Sequence, residues 1–481
     1  MALVLPALLC LASGFWLVSL GWSRQYPLAS DLLLRAALSF GFGLGIFSVV
    51  FFLARVSGVT NLIALDLLVF ALLLASFFLL RTRAKTTATI SPAKEKFDGP
   101  SWLHRILTGA FAIALCAAVY SAVLRALAHP HGDGWDAFAI WNLHARFLFR
   151  GDAHWRHGFT PLIPWSHPDY PLLLPAAVAH FWTFLGDDAP AVPAILGFIF
   201  IFATVALLFS SLSIFRGSVP AMLGGATLLA TPSFIALGSW QYADIPLSFF
   251  FLATIVLLRL HDDPLDDDPD PAQRSPAFLA LAGLAAGFAA WTKNEGVLFL
   301  CTIVLACYLL IRGSRAVPRE SRPRGATHIA PLLLTVVPLF LLISYFKHFV
   351  APPGDLFSDP TTMLDKLLDP ARYWVITKWY AKEFFRFGHW LLVPTPLLML
   401  AYYFLTRHET RASRDSRYRA SILALALTLA GYFVIYLITP YDLYWHLRFS
   451  LTRLFLQLWP STIFLFFLAV PCGAGAPARG R

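Results

Sequence analysis

The sequence predicts an all-α, polytopic membrane protein, and three observations carry that prediction. Hydrophobic residues make up 58% of the 481 positions and charged residues only 13%, against about 25% charged in an ordinary soluble chain. Apolar runs of about 20 residues, the length that crosses a hydrocarbon core about 30 Å thick, recur along the whole chain. These runs are rich in Leu, Ala and Phe and lack the period-two alternation of a barrel strand. Helices are then the structure that satisfies every backbone hydrogen bond in lipid.

The elements follow in order. Spans are expected near 1–21, 31–54 and 61–80, and the opening run MALVLPALLCLASGFWLVSLGW has no basic leader, so it reads as a retained helix. A basic stretch, 81–96, follows. Lysine and arginine concentrate in cytoplasmic loops, so this stretch, 312–324 and 407–419 face the cytoplasm, and the formal charge of +10 records topology rather than nucleic-acid binding. A span near 104–126 then delivers the chain outside, where a polar and aromatic loop, 127–190, begins. Further spans are expected near 191–213, 219–238, 246–260, 277–292, 297–312, 329–346, 390–406, 420–438 and 454–471, about thirteen in all. The short apolar run 171–185, bounded by Pro171, Pro175 and Gly186, is placed on the membrane surface, because a crossing there would turn the basic loops outward. The acidic stretch 261–271 reads as a solvated cytoplasmic loop.

Two parts are expected: an N-terminal three-span segment with its linker, 1–100, and a transmembrane module, 101–481, with external loops 127–190, 239–245, 293–296, 347–389 and 439–453. Five cysteines at 10, 116, 301, 307 and 472 show no CxxC or Cys/His spacing and read as packing residues.

Ionisable groups near a membrane that orientation does not explain are candidates for chemistry. In HGDGWDAFAIWNLHARFLFRGD, the large apolar residues from Trp135 to Phe149 suit a helix lying at the interface, with Asp133 and Asp136 at its N-terminal end. The two acids admit two roles: capping the helix, or serving as a general base at the lipid boundary. Further on, WSHPDYP sets His167, Asp169 and Tyr170 between prolines. Asp244 precedes Pro246 and reads either as a turn residue or as a second acid. In KWYAKEFFRFGHW, Lys378, Lys382 and Arg386 recur every four residues among aromatic residues, the pattern of an interfacial helix that anchors in the membrane.

An Asp at the start of an interfacial helix after a membrane span, the Tyr242-Ala-Asp-Ile-Pro246 motif in the next external loop and about ten further spans resemble the membrane-embedded C-type glycosyltransferases. Members similar in this arrangement are the aminoarabinose transferases and protein O-mannosyltransferases. The resemblance covers about 104–471. It implies transfer of a sugar, with inversion, from a polyprenyl-phosphate donor to an acceptor lipid, glycan or protein on the periplasmic side of the inner (plasma) membrane. Carried onto this chain, Asp136 corresponds to the catalytic base, with Asp133 as second choice, because family members often show tandem acids and this chain shows Asp133-Gly-Trp-Asp136. Asp244 matches the second acid.

The donor phosphate needs cations, and Arg453, Arg448, His446 and Lys293 supply them on the external side. Substrate contacts are expected from His167, Asp169, Tyr170, Glu295 and Tyr242. No cofactor is expected, although Asp133, Asp136 and Asp244 are oxygen ligands of the kind that suit a divalent cation. The chain has no GxxxxGK[ST] loop. Membrane lipids and the lipid-linked donor are the expected partners. The rival readings are an O-antigen polymerase or ligase-like enzyme with a pyrophosphate-linked donor, a secondary transporter, and a non-catalytic scaffold.

Overall fold

The computed structural model describes residues 2–22, 26–81, 101–262, 275–315, 329–357, 360–389, 395–406 and 418–470. The expectations for the greater part of the basic stretches, for 263–271 and for Cys472 lie outside the described residues.

The described chain is helical throughout and contains no strand. It opens with α1 (Val4–Leu20), α2 (Leu28–Ser57), α3 (Leu62–Arg81) and α4 (Ser101–Ala128). The long connection after α4 holds a π-helical turn, Ala137–Trp141, then α5 (Asn142–Arg150) and α6 (Leu173–Leu185). Next come α7 (Ala191–Arg216), α8 (Ser218–Leu229), α9 (Pro232–Ser239), α10 (Asp244–Asp262), α11 (Pro276–Thr292) and α12 (Asn294–Arg315). The chain continues through α13 (Ala330–Phe349), α14 (Pro360–Leu368), α15 (Pro370–Arg386), α16 (Thr395–Thr406), α17 (Arg419–Ile438) and α18 (Leu443–Ala469).

Among the described residues nine helices are long and apolar enough to cross a membrane, or ten if α8 and α9, bent by 61° at their junction, form one span. With the shorter apolar helices α1, α11 and α16, these fall on the thirteen predicted segments, and the protein is a multi-pass helical membrane protein. The α8–α9 bend has a local cause. Thr231 is extended (φ −84°, ψ 102°), as the residue before a proline prefers to be, and Pro232 then starts α9. Thr231 Oγ1 bonds back to the Thr227 carbonyl at 2.8 Å and accepts from Trp459 Nε1 at 3.1 Å, so α18 is tied to the break.

Three boundaries differ from the expectation. The 171–185 segment forms α6, whose residues from Leu173 to Trp182 are all buried. At 13 residues, about 20 Å, it is too short to span. It packs against α2 and α5 inside the protein rather than lying on the membrane surface. The last helix begins at Leu443 and not near 454, so most of the predicted 439–453 loop is helix. The 293–296 loop shrinks to one extended residue, Lys293 (φ −161°, ψ 160°), between α11 and α12. The sharp fold-back there depends on Gly296, where an added Cβ would lie 1.8 Å from the Ala289 carbonyl oxygen.

The core sits around α10, nearly all of which is buried, packed by α2, α7, α11 and α18. Phe42 of α2 packs edge-on against Phe288, and Phe52 against Trp291, so the early helices share the same core.

Candidate functional site

Three helix ends and the middle of a fourth helix meet at one end of the bundle. After α4 the chain turns through His129–Asp136. Gly134 takes φ 75°, a left-handed conformation that glycine adopts without penalty, and a Cβ there would lie 2.4 Å from Tyr242 Oη. The turn is held against the 240–243 loop by Gln241, whose amide donates to the Pro130 carbonyl at 3.0 Å and accepts from Asn142 at 2.7 Å. Asp136 therefore enters the π-helical turn beside Tyr242. π-turns inside helices are rare and concentrate at functional sites.

Asp136 makes no side-chain capping bond to that turn. Its Oδ2 instead accepts Arg453 Nη2 of α18 at 2.5 Å. Arg453 also reaches Asp244, the first residue of α10, with Nε to Oδ2 at 3.0 Å and Nη2 to the same oxygen at 2.9 Å. The guanidinium thus joins two carboxylates, 4.8 Å from the Tyr242 ring centre.

Asp244 opens α10 as a helical residue and not a turn residue; it is fully buried, and every donor it needs is present. Its Oδ1 accepts Gln457 Nε2 at 2.6 Å and Lys293 Nζ at 3.2 Å. Gln457, one turn beyond Arg453, is oriented in turn by the Tyr432 hydroxyl at 2.7 Å. A buried carboxylate with this many charged and polar donors stays ionised and fixed, because an unpaired charge there would be severely penalised. Lys293 also pairs with Glu295 Oε1 at 2.8 Å and lies 5.9 Å from the Tyr170 ring. Glu295 Oε2 is buried and has no hydrogen-bond partner.

A second network adjoins the first. Asp169 Oδ2 accepts Asn294 Nδ2 at 2.8 Å and Lys347 Nζ at 3.0 Å, and Lys347 donates to Asn294 Oδ1 at 2.7 Å. Tyr170 is stacked with Trp141 (centroids 5.6 Å) and with His167 (4.7 Å). Burial raises both nearby phenols, with Glu295 adding to the effect at Tyr170 and Asp136 at Tyr242, which is pushed up to about 12. Both remain hydrogen-bond donors at neutral pH.

The structure therefore gathers Asp136, Asp244, Arg453, Lys293, Glu295, Tyr242 and Tyr170, with Asp169 and His167 beside them. Other candidates stand apart. Asp133 is 41% exposed, with its Oδ2 3.9 Å from His129 Nε2. His446 exchanges a hydrogen bond with Thr439 at 2.8 Å and packs against Tyr436. Arg448 lines a different cavity. Sequence reasoning missed Gln457, Tyr432, Asn294 and Lys347. Gln457 alone carried a visible signal, a polar residue one turn after Arg453 inside an apolar run.

Asp136 and Arg453 are partly accessible, with side chains 16% and 19% exposed. Asp136 Oδ1 is left without a protein partner, and the Arg453 guanidinium occupies the space between the two acids where a bridging cation would stand. Among the described residues no group of three or more His, Cys, Asp or Glu has the geometry to hold a metal ion.

No protein-family model and no curated protein sequence matches this chain. Among solved structures it is similar to the crystal structure of ArnT from Cupriavidus metallidurans bound to undecaprenyl phosphate, with 15% identity and a TM-score of 0.46. The match covers 75% of this chain, which spans 60% of the length of that one.

Proposed function

We propose that this protein is an integral-membrane glycosyltransferase of the inner (plasma) membrane, moving a sugar from a polyprenyl-phosphate donor to an acceptor lipid, glycan or protein on the periplasmic face, with inversion. The observation that supports this reading most is Arg453 shared between a half-engaged, partly exposed carboxylate, Asp136, and a saturated, buried one, Asp244.

The chemistry divides between them. An acceptor hydroxyl attacks the anomeric carbon and gives its proton to Asp136 Oδ1. The bond from that carbon to the phosphate oxygen breaks, and its electron pair leaves on the phosphate, which Arg453 and Lys293 stabilise. Asp244 has no free lone pair directed at a substrate and acts as a positioning residue for Arg453. In the resting site Arg453 Nη2 is bonded to Asp136 Oδ2, and a donor phosphate competes for the guanidinium once donor is in place. The unpartnered Glu295 Oε2 is suited to accept a hydrogen bond from a sugar hydroxyl. Asp133, His167, Asp169 and His446 serve as outer contacts in this reading, and no step requires a metal.

The test is transfer by purified protein in nanodiscs from a panel of polyprenyl-phosphate sugars, wild type beside Asp136→Asn. Turnover abolished by the substitution is the expected result. Full turnover by Asp136→Asn would remove Asp136 from the mechanism, and turnover of pyrophosphate-linked donors only would favour the polymerase or ligase-like reading.

A further inference from the structure

The helix α15 lies beside the first half of α18, and a cavity of about 600 Å³ opens between them, lined by Trp379, Lys382, Tyr444, Trp445, Arg448 and Phe449. Two of these six residues are cations, four are aromatic and none is acidic. Lys382 Nζ is held 4.9 Å from the Trp379 ring centre, and one turn earlier Lys378 sits 4.6 Å from Trp374. The nearby acid Asp442 is engaged in capping α18, accepting Trp445 N at 2.8 Å.

This cavity is separate from the site described above. Arg448 precedes Arg453 by five residues, which on an α-helix is about 140° around the axis and about 7.5 Å along it. Arg453 faces Asp244 in the interior, whereas Tyr444, Trp445, Arg448 and Phe449 are exposed at the outside of the bundle. Arg448 and Arg453 therefore face different sides of α18.

We propose that the cavity between α15 and α18 binds the phosphodiester head of an anionic membrane phospholipid, with Lys382 and Arg448 on the phosphate and the aromatic residues flanking the glycerol and the first methylenes of the acyl chains. Charge complementarity selects this occupant: two cations without a lining carboxylate favour a headgroup of net negative charge over a zwitterionic one, whose own cation would meet the same pair. Indole and phenol rings favour the headgroup level of a bilayer, so the lining matches the depth at which a lipid phosphate lies. The inference does not depend on the glycosyltransferase reading.

The experiment titrates the full-length protein in detergent with phosphatidylglycerol or phosphatidylcholine and counts bound lipid by native mass spectrometry, comparing wild type, Arg448→Lys and the double variant K382Q/R448Q. Wild type is expected to prefer phosphatidylglycerol, and the double variant to lose that preference by about 25-fold, at about fivefold per cation. Arg448→Lys should retain at least half of the preference. Both side chains are exposed, so an unchanged Tm is expected to accompany the loss. Equal phosphatidylglycerol binding by wild type and double variant would overturn the proposal. So would a polyprenyl monophosphate that displaces phosphatidylglycerol from wild type but not from K382Q/R448Q, which would assign the cavity to the carrier lipid.

Discussion

Two of the buried polar arrangements among the described residues are built differently. Asp244 sits under Arg453, Lys293 and Gln457 with both oxygens engaged, and the network opens at one end to Asp136. Across the bundle, Asp66 of α3 meets His180 of α6 at 2.8 Å, at 0% and 1% exposure, with Phe47, Phe51, Phe181 and Phe184 around the imidazole. Asp66 Oδ1 and His180 Nδ1 have no further partner. The first arrangement is a chain of charges leading to an accessible carboxylate. The second is a closed pair in an apolar cage, which joins two helices and offers nothing to a substrate. A buried carboxylate contact is thus weak evidence for chemistry; an accessible end and an unspent lone pair are the better signs.

The comparison can be broken most directly at Asp244. Asp244→Ala leaves Arg453 and Lys293 without their central anion, and is expected to cost about 3–5 kcal/mol of stability as well as all transfer; a Tm within two degrees of wild type in detergent would show that Asp244 is not what holds the cluster. Asp136→Asn should do the opposite. Its site is partly exposed, so stability should move by less than about 1 kcal/mol, while transfer falls by about 10²–10⁴-fold, the usual contribution of a general base. At the closed pair, His180→Leu alone should cost about 3 kcal/mol by stranding Asp66. The double change Asp66→Leu with His180→Leu should recover most of that, since apolar replacement of a whole buried pair is often neutral. Sugar transfer should survive in the double variant, and its loss would make the pair part of the working site. Smallest is a rim pair. Burial works against the Asp188 carboxylate, but hydrogen bonds from Arg146 and Arg150 outweigh it and hold its pKa below the ordinary value. Its contribution is therefore present above the ordinary carboxylate range and is lost as pH falls below it. With Arg150 64% exposed, Asp188→Asn should change thermal stability at pH 7 by under about 1 kcal/mol, measurable as a pH-dependent Tm difference that closes in acid.

Much of the fold was legible because lipid imposes a length and a composition on every span, and that signal is local. Asp136, Asp244 and Arg453 stood out for a related reason: charges beside apolar runs on the side where basic residues are not needed for orientation. Their assembly was not legible. The Arg453–Asp136 contact joins residues 317 apart, and nothing in either neighbourhood encodes the partner. Asn294 and Lys347 escaped notice because single polar residues at helix ends are common and carry no period. The start of α18 was misplaced because TPYDLYWHLRFSLTR mixes aromatic and charged residues, a composition that weakens a hydropathy signal without weakening a helix. Likewise α6 reads as peripheral by length alone, and only its packing against α2 reveals it as core.

The near-complete enclosure of α10 bears on how the protein is made. Asp244 and Lys293 leave the ribosome well before Arg453 and Gln457, which arrive with α18. Until that helix inserts, the growing chain carries a carboxylate that has Lys293 as its nearest cation and lacks the two donors that later fix it. Completion of the Asp244 network is thereby tied to completion of the bundle, and a chain that ends before α18 lacks Arg453 and Gln457 beside its buried acid.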